Sequence, residues 1–215
     1  MTADAAGGLT EAEVSAPAAR ERILAAAVLR IAREGIDDAR IARIARDAGV
    51  SPALIHYHFD SRETLLAEAL QYSYDRLGNE RVPDDGPAPE STSSRLRAMV
   101  ERYLPLPGEQ ERDWLLWAEL WLRAMRHPEL RPTSARLYAD MHDWIRDAVA
   151  EAIATGESRD VDPDDFADRL LALIDGCGVR ALLADPAMPL DRMRELCWSF
   201  VVDELGLDRA LEGRA

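Results

Sequence analysis

The most conspicuous gap in this 215-residue sequence is lysine, because all 26 basic residues are arginines. Cysteine is also scarce, with two residues, and phenylalanine occurs only three times. Cys177 and Cys197 lie in helical patterns with no further cysteine or histidine at metal-ligand spacing. This context favours core packing over a disulfide or a metal site. We therefore expect no metal and no cofactor.

Several patterns that would indicate other classes of protein are missing. No apolar run reaches the roughly 18 residues of a membrane span, and no alternating strand pattern occurs. Residues 1–17 lack the basic start and apolar centre of a secretion signal, so we expect a disordered tail in a cytoplasmic protein. Phosphate-loop, nucleophile and metal-binding motifs are absent, which argues against an enzyme.

Charge is distributed unevenly along the chain. The net charge of −14 seems to argue against a nucleic-acid binder, which is expected to be basic. Residues 18–62, however, hold eight arginines against six acids, whereas residues 63–215 hold 18 arginines against 31 acids. The positive charge is therefore concentrated in one segment, and the acidic remainder discourages non-specific binding to DNA or to a membrane surface.

A helix-turn-helix is predicted between residues 41 and 66. Ile44, Ala45 and Ala48 recur at helical spacing, and Gly49 supplies a left-handed residue that ends the helix. Ser51 and Pro52 then form the cap and the first turn of a new helix. Two helices joined this closely are typical of the motif.

The second helix has an inner and an outer side. Leu54, Ile55 and Phe59 are predicted to pack inward. The predicted outer side is small at its tip and polar further on, which suits the major groove of DNA. Its residues are Ser51, Pro52, Ala53, His56, Tyr57 and His58. The alternative is a generic helical hairpin with surface histidines.

Residues 19–70 resemble the amino-terminal domain of TetR-family transcriptional regulators. The resemblance rests on an Ile-Ala pair, Ala-Gly-Val-Ser, a Tyr-His-Phe cluster and a basic residue before Leu-Leu. The family usually has threonine where this chain has Arg40, so another group, such as Asp37 or Asp38, must cap the second helix. Arg40 is then a candidate phosphate contact. Arg62 replaces the usual lysine and is also assigned to DNA binding.

The carboxy-terminal part is predicted to be helical throughout, and it contains an unusual tryptophan stripe. Trp114, Trp117, Trp121 and Met125 share one face of a helix, and Met141 and Trp144 lie on the next helix. Such a stripe is usually core. The other interpretation is that some of the rings line a ligand pocket.

This part of the chain is similar to the subgroup that contains the choline-responsive repressor of glycine-betaine synthesis. The similarity includes the tryptophan segment, Leu173-Ile174-Asp175-Gly176 and Arg180-Ala181-Leu182-Leu183. It suggests a quaternary ammonium compound or a polyamine as the effector, since aromatic faces beside carboxylates such as Glu119 or Asp175 attract cations. Each carboxylate is alternatively a solvated or ion-paired side chain.

The helix predicted over residues 164–184 is apolar on two sides, and the last helix, over residues 189–205, is broadly apolar. Both are predicted to form a four-helix dimer interface with their copies. The predicted interface residues are Leu171, Gly178, Leu182, Met193, Cys197, Phe200 and Val201. The predicted pocket residues are Trp114, Trp117, Trp121, Met141, Trp144 and Asp175.

Together, these patterns predict an all-α protein with a disordered tail (1–17), a helix-turn-helix DNA-binding domain (18–62) and a helical ligand-binding and dimerisation domain (63–215). We expect a homodimeric, ligand-responsive repressor that binds a palindromic operator in double-stranded DNA and is released by a small molecule. The alternative is an α-helical enzyme or small-molecule binding protein in which the helix-turn-helix is incidental.

Overall fold

The computed structural model describes residues 16–79 and 91–207, and within these ranges the chain is helical with no strand. The predicted all-α fold is confirmed. The helices are α1 (Ala16–Glu34), α2 (Ile41–Ala48), α3 (Pro52–His58), α4 (Arg62–Asn79), α5 (Thr92–Arg102), α6 (Glu109–Arg126), α7 (Arg131–Ala154), α8 (Pro163–Leu182) and α9 (Leu190–Leu205), with a 3-10 turn at Pro128–Leu130.

The chain divides into two compact units, Met1–Asp75 and Arg76–Ala215. The predicted domain boundary after residue 62 lies at the first residue of α4, inside the first of these units. The domain limits therefore stay a prediction. The predicted tail lies outside the described residues except for its last two, which belong to α1.

The first unit is built by glycines that end helices and by apolar residues that pack between them. Gly49 adopts the predicted left-handed conformation, with φ +66°, and the following Val50 N–H donates to the Ala45 carbonyl at 2.9 Å. Ile44 and Ile55 are fully buried, so α2 and α3 pack on the same core. The helix-turn-helix predicted from the sequence is thereby confirmed.

The second unit packs α7 between α5, α6 and α8, and α9 against α5 and α8. Phe166 of α8 and Ile145 of α7 are completely buried in this core. Asp162 caps α8 by accepting hydrogen bonds from the Asp164 and Asp165 N–H groups, and Pro163 occupies the first turn. In the described ranges no helix is long and apolar enough to cross a membrane.

Cys177 of α8 and Cys197 of α9 are free and buried, as core packing predicts. Their side chains meet where α8 and α9 pack together. Burial raises the pKa of Cys197 to about 12 and also raises the pKa of Cys177. Both are therefore protonated, unreactive thiols near neutral pH.

Candidate DNA-reading face and candidate ligand site

Helix α3 starts and ends as the sequence predicts. The Ser51 hydroxyl accepts a hydrogen bond from the Leu54 N–H at 3.2 Å, and Pro52 occupies the first turn. Phe59 ends the helix in an extended conformation, with its N–H donating to the Ile55 carbonyl at 2.9 Å. The cap and the stop leave a helix of seven residues whose orientation is fixed at both ends.

The outer side of α3 is free of contacts with the core. Ser51, Pro52, Ala53 and His56 are exposed, and Tyr57 is 79% exposed. Such exposure of a tyrosine is unusual for a side chain with a large apolar ring, and it leaves both the ring and the hydroxyl available to a partner. We call these five residues the reading face.

His58 does not lie on the reading face. Its side chain is partly buried, and its ring contacts Tyr57 edge-on at a centroid distance of 5.2 Å and Phe59 at 6.2 Å. Its Nε2 atom is buried without a hydrogen-bond partner in the part of the chain that the structure describes. The departure from the predicted exposed position arises because His58 follows the buried Ile55 by three residues, which places it beside the inner side of α3. His58 therefore supports the Tyr57 ring from behind.

Arg40, in contrast, is exposed at the amino end of α2. Its carbonyl accepts hydrogen bonds from the N–H groups of Arg43 and Ile44 at 2.8 and 3.1 Å, and its side chain does not cap the helix. Among the described residues its guanidinium forms no hydrogen bond or ion pair with the protein. It is therefore a cation available to an external anion, whereas capping by Asp37 or Asp38 stays a prediction.

Arg62 departs from the expectation that it is available to DNA. Its Nη1 atom donates to the carbonyl oxygens of Asp37 at 2.8 Å and Ile36 at 3.4 Å, and its side chain is partly buried. A guanidinium that donates to backbone carbonyl groups of its own chain stabilises the fold. The sequence could not show this, since the partners are backbone atoms 25 and 26 residues away.

Arginines of α1 form hydrogen bonds and ion pairs with the carboxyl end of α2. Arg22 donates through Nε to the Ala48 carbonyl at 3.1 Å, at the carboxyl end of α2. Arg30 bonds both Asp47 and Glu34, and these hydrogen bonds lower the pKa of each carboxyl. The carboxylates thus stay charged well below neutral pH, and the brace between α1 and α2 persists across that range.

The second unit holds the predicted aromatic residues in a continuous cluster. The Trp121 ring lies 6.2 Å from Trp114 and 6.1 Å from Trp117, and Trp117 lies 5.1 Å from the ring of Tyr138 on α7. We call these four side chains the aromatic cluster. Sequence reasoning missed Tyr138, although its position three residues before Met141 places both on one face of α7.

Asp175 of α8 joins the aromatic cluster through Tyr138. The Tyr138 hydroxyl donates to Asp175 Oδ2 at 2.6 Å. Burial raises the pKa of Asp175, and the hydrogen bond from Tyr138 acts in the opposite direction. Burial also raises the pKa of Tyr138, and the adjacent carboxylate adds to the shift. No cationic group of the described residues pairs with Asp175, so the carboxyl group is desolvated but not neutralised.

Gly178 allows the aromatic cluster to approach α8. A Cβ atom at Gly178 would lie 2.0 Å from Cη2 of Trp114, and the Trp114 indole N–H donates to the Tyr103 carbonyl at 2.9 Å. The Trp114 ring of the same subunit thus covers Gly178, whereas the sequence analysis predicted that Gly178 lies in the dimer interface. The neighbouring Gly176 is exposed, with nothing within 4 Å of the place a Cβ would take.

The other predicted pocket residues fall outside the aromatic cluster. Met141 is buried in the core, and Trp144 pairs with Tyr103 at 5.8 Å. Met125 was predicted to share the tryptophan face but is 72% exposed. It lines an open groove of about 360 Å³ between α6 and α7, together with Trp121, Ala124, Arg131 and Ser134.

Most of the predicted dimer-interface residues are already buried within the subunit. Among them, Met193, Cys197 and Val201 have no exposed surface at all. The residues with buried positions are Leu171, Gly178, Met193, Cys197 and Val201. Only Leu182 and Phe200 of the predicted set remain partly exposed. The sequence shows that α8 and α9 have two apolar sides, but not which side the subunit covers itself.

Comparisons with known proteins divide the chain in the same order. Residues 23–69 match the model of bacterial regulatory proteins of the tetR family, and residues 92–206 match that of BetI-type transcriptional repressors, C-terminal. The HTH-type transcriptional regulator BetI 1 of Chromohalobacter salexigens is 27% identical over 193 residues, which cover 88% of this chain and 91% of that protein.

Two further relatives carry the name of a small molecule. The nicotine-responsive transcriptional repressor HdnoR of Paenarthrobacter nicotinovorans is 27% identical and covers 87% of this chain and 96% of its own. A transcriptional regulator from Saccharomonospora viridis, solved in complex with choline, is 34% identical with a TM-score of 0.77, and the match covers 87% of this chain and 97% of that one. These relatives regulate transcription. They therefore favour a transcriptional regulator over the alternative of an α-helical enzyme. The chain belongs to the TetR family of bacterial transcriptional regulators and carries a BetI-type carboxy-terminal domain.

Proposed function

We propose that the protein is a ligand-responsive repressor that binds a palindromic operator as a homodimer and is released by a small organic cation. The observation that carries the DNA-binding part is the exposure of the reading face on a capped, well-anchored helix. Such a regulator of chromosomal genes works in the bacterial cytoplasm.

In this proposal the amino end of α3 enters the major groove. The small side chains of Pro52 and Ala53 permit close approach, and the side chains of His56 and Tyr57 reach base edges or phosphates. Arg40 holds the backbone beside the groove. Because the first 17 residues and residues 63–215 are acidic overall, residues 18–62 are the segment most attracted to DNA.

The effector is proposed to bind at the aromatic cluster. Asp175 is desolvated without a cationic partner, and Trp117 and Trp121 lie on the same side as its Tyr138 contact. A cation placed there gains attraction from the carboxylate and from the faces of the indole rings. It also restores a charge partner to a carboxyl group whose pKa burial has raised.

The relatives narrow the chemical class of the effector. One was solved with choline, and another is called nicotine-responsive, and both small molecules carry a positively charged nitrogen near neutral pH. Asp175 offers a single, partly buried carboxylate, which matches one cationic group better than the several charges of a polyamine. We therefore favour a quaternary or tertiary ammonium compound and keep a polyamine as the second candidate.

The dimer is proposed to form through the outer sides of α8 and α9. On α8 the small Ala172 and Gly176 are exposed and continue into Val179 and Leu183, which are 38% and 76% exposed. On α9 the partly exposed Phe200 takes the corresponding place. Small residues permit close approach of two helices, and the larger ones supply apolar area.

Release from DNA follows from a difference in effector affinity between two arrangements of the dimer. An effector that prefers the arrangement with a wrong separation of the two reading faces shifts the population toward it. Operator affinity then falls by the ratio of those two affinities. The half-sites that the reading faces must match lie about 34 Å apart or at a multiple of this distance.

Titration of the purified protein with choline, followed by calorimetry and by tryptophan fluorescence, tests the effector site. The matched control is 3,3-dimethylbutanol, which has the shape of choline without its charge. We expect choline to bind and to change the fluorescence, and the neutral analogue to bind far more weakly. Nicotine and spermidine separate the ammonium classes. Equal binding of choline and its neutral analogue, or binding by none of the four compounds, contradicts the proposed cation site.

A further inference from the structure

We propose that Arg62 is a positioning residue that fixes the amino end of α2 against the first turn of α4, instead of a phosphate-binding residue. Its Nη1 atom bonds the carbonyl groups of Asp37 and Ile36, which lie in the turn between α1 and α2. The proposal assigns a role in operator binding, and so it rests on the proposed function. The contact itself does not.

The turn that Arg62 holds is anchored on its other side by apolar residues. Ile36 is 2% and Ala39 is 1% exposed, so both residues are buried in the core, while the Ile36 carbonyl accepts from Arg62 of α4. A guanidinium supplies several donors in a rigid, planar arrangement and keeps its charge at every relevant pH. Hydrogen bonds from such a charged donor to carbonyl oxygens are stronger than those between neutral groups.

Helix α1 contacts both halves of α2, because Arg43 near its amino end pairs with Glu34, whereas the hydrogen bonds from α4 reach the turn before α2. At the carboxyl end, Arg22 of α1 donates to the Ala48 carbonyl, and Arg30 bonds Asp47. At the amino end, the hydrogen bonds from α4 come from Arg62. Loss of this side chain therefore loosens α2 where Arg40 begins the helix, while the end that leads into α3 stays fixed.

A consequence for operator binding follows from this asymmetry. Arg40 is exposed and forms no ion pair with any residue that the structure describes, so its proposed phosphate contact depends on where the amino end of α2 lies. Arg62 then acts on DNA through Arg40. Two independent phosphate contacts, by contrast, would each remove about one unit from the slope of log affinity against log salt concentration.

The first test uses the full-length protein without DNA. Amide hydrogen exchange is compared between the wild type, Arg62→Ala and the control Arg33→Ala, which removes an exposed arginine elsewhere in the first unit. We expect Arg62→Ala to speed exchange several-fold in residues 36–44 and to leave the middle of α1 unchanged. Unchanged exchange in residues 36–44 overturns the proposal. Uniformly faster exchange across the first unit also overturns it, because the residue would then be a general stabiliser.

The second test measures operator affinity in a double-mutant cycle of Arg40→Ala and Arg62→Ala, with a salt titration for each protein. Positioning predicts that each single change weakens binding about tenfold and that the double variant is scarcely weaker than either one. Additive losses, each with a reduced salt slope, overturn the proposal. Absence of operator binding by the wild type would refute the proposed function, while the exchange experiment would still decide whether Arg62 fixes α2.

Discussion

At the scale of single residues, the charged carboxylate of Asp175 lowers the stability of the fold but is required for the proposed binding of a cation. Because burial raises its pKa in the folded protein, folding favours the protonated form, and stability falls as the pH rises from the unfolded pKa toward the folded one. Near neutral pH the buried charge therefore costs stability. A residue kept at such a cost is typical of a functional site.

We expect Asp175→Asn to melt at the same temperature as the wild type or higher at pH 7, because the desolvated charge is removed and Tyr138 keeps an acceptor. The same variant should lose most of the stabilisation that choline gives the wild type. Differential scanning fluorimetry with and without choline measures both effects. A variant that keeps the full choline shift would show that Asp175 is not the anionic group of the site.

Gly178 is the residue whose lack of a side chain matters most. In Gly178→Ala the new methyl group would overlap the Trp114 ring, which must move and so disturbs its contact with Trp121. Overpacking of this kind costs about 1–3 kcal/mol. We expect a weaker near-ultraviolet circular dichroism signal from the tryptophans and a lower free energy of unfolding. The exposed Gly176 provides the control, since Gly176→Ala meets nothing within the subunit.

At the scale of helices, α3 depends on its cap. Ser51→Ala removes the hydroxyl that accepts from the Leu54 N–H, and such losses cost about 1 kcal/mol. Urea unfolding, followed by a signal from the first unit, should show this loss as a lower free energy of unfolding. Ser51→Thr should recover most of the loss. Equal stability of the alanine variant and the wild type would mean that packing of Ile55 and Phe59 alone sets the start of α3.

Local patterns predict the helices well because their causes are local. The αL glycine at Gly49, the cap at Ser51 and the proline at Pro52 act within a few residues, and all three predictions are confirmed. In the second unit, α6, α7 and α9 likewise begin and end within two residues of a proline or a glycine.

The partners of individual side chains were not predictable in the same way. The contacts of Arg62 with Asp37, of Tyr138 with Asp175 and of Trp114 with Gly178 join residues that are 25 or more positions apart. A helical wheel shows that a face is apolar but not which neighbour covers it. For this reason the predicted interface residues on α8 and α9 included several that the subunit buries itself.

At the scale of the whole molecule, the proposed dimer places exposed apolar surface of α8 against a second copy. Leu183, at the carboxyl end of α8, is 76% exposed. Leu183→Glu would place an unpaired charge in the proposed interface, and we expect the dimer to dissociate to a monomer in sedimentation velocity experiments. Leu29→Glu, at a 50% exposed position on α1, is the control and should leave the dimer intact. An unchanged dimer in Leu183→Glu would place the interface elsewhere.

In the proposed function, the reading face of each subunit of a dimer recognises a specific DNA sequence. The most direct measurement is selection of bound duplexes from a random pool by the purified protein, followed by sequencing and a salt titration of the enriched sequence. We predict a palindrome with two half-sites one helical turn or a multiple of it apart, bound with steep salt dependence. Enrichment of no sequence, or of a single unrepeated half-site, would contradict the account.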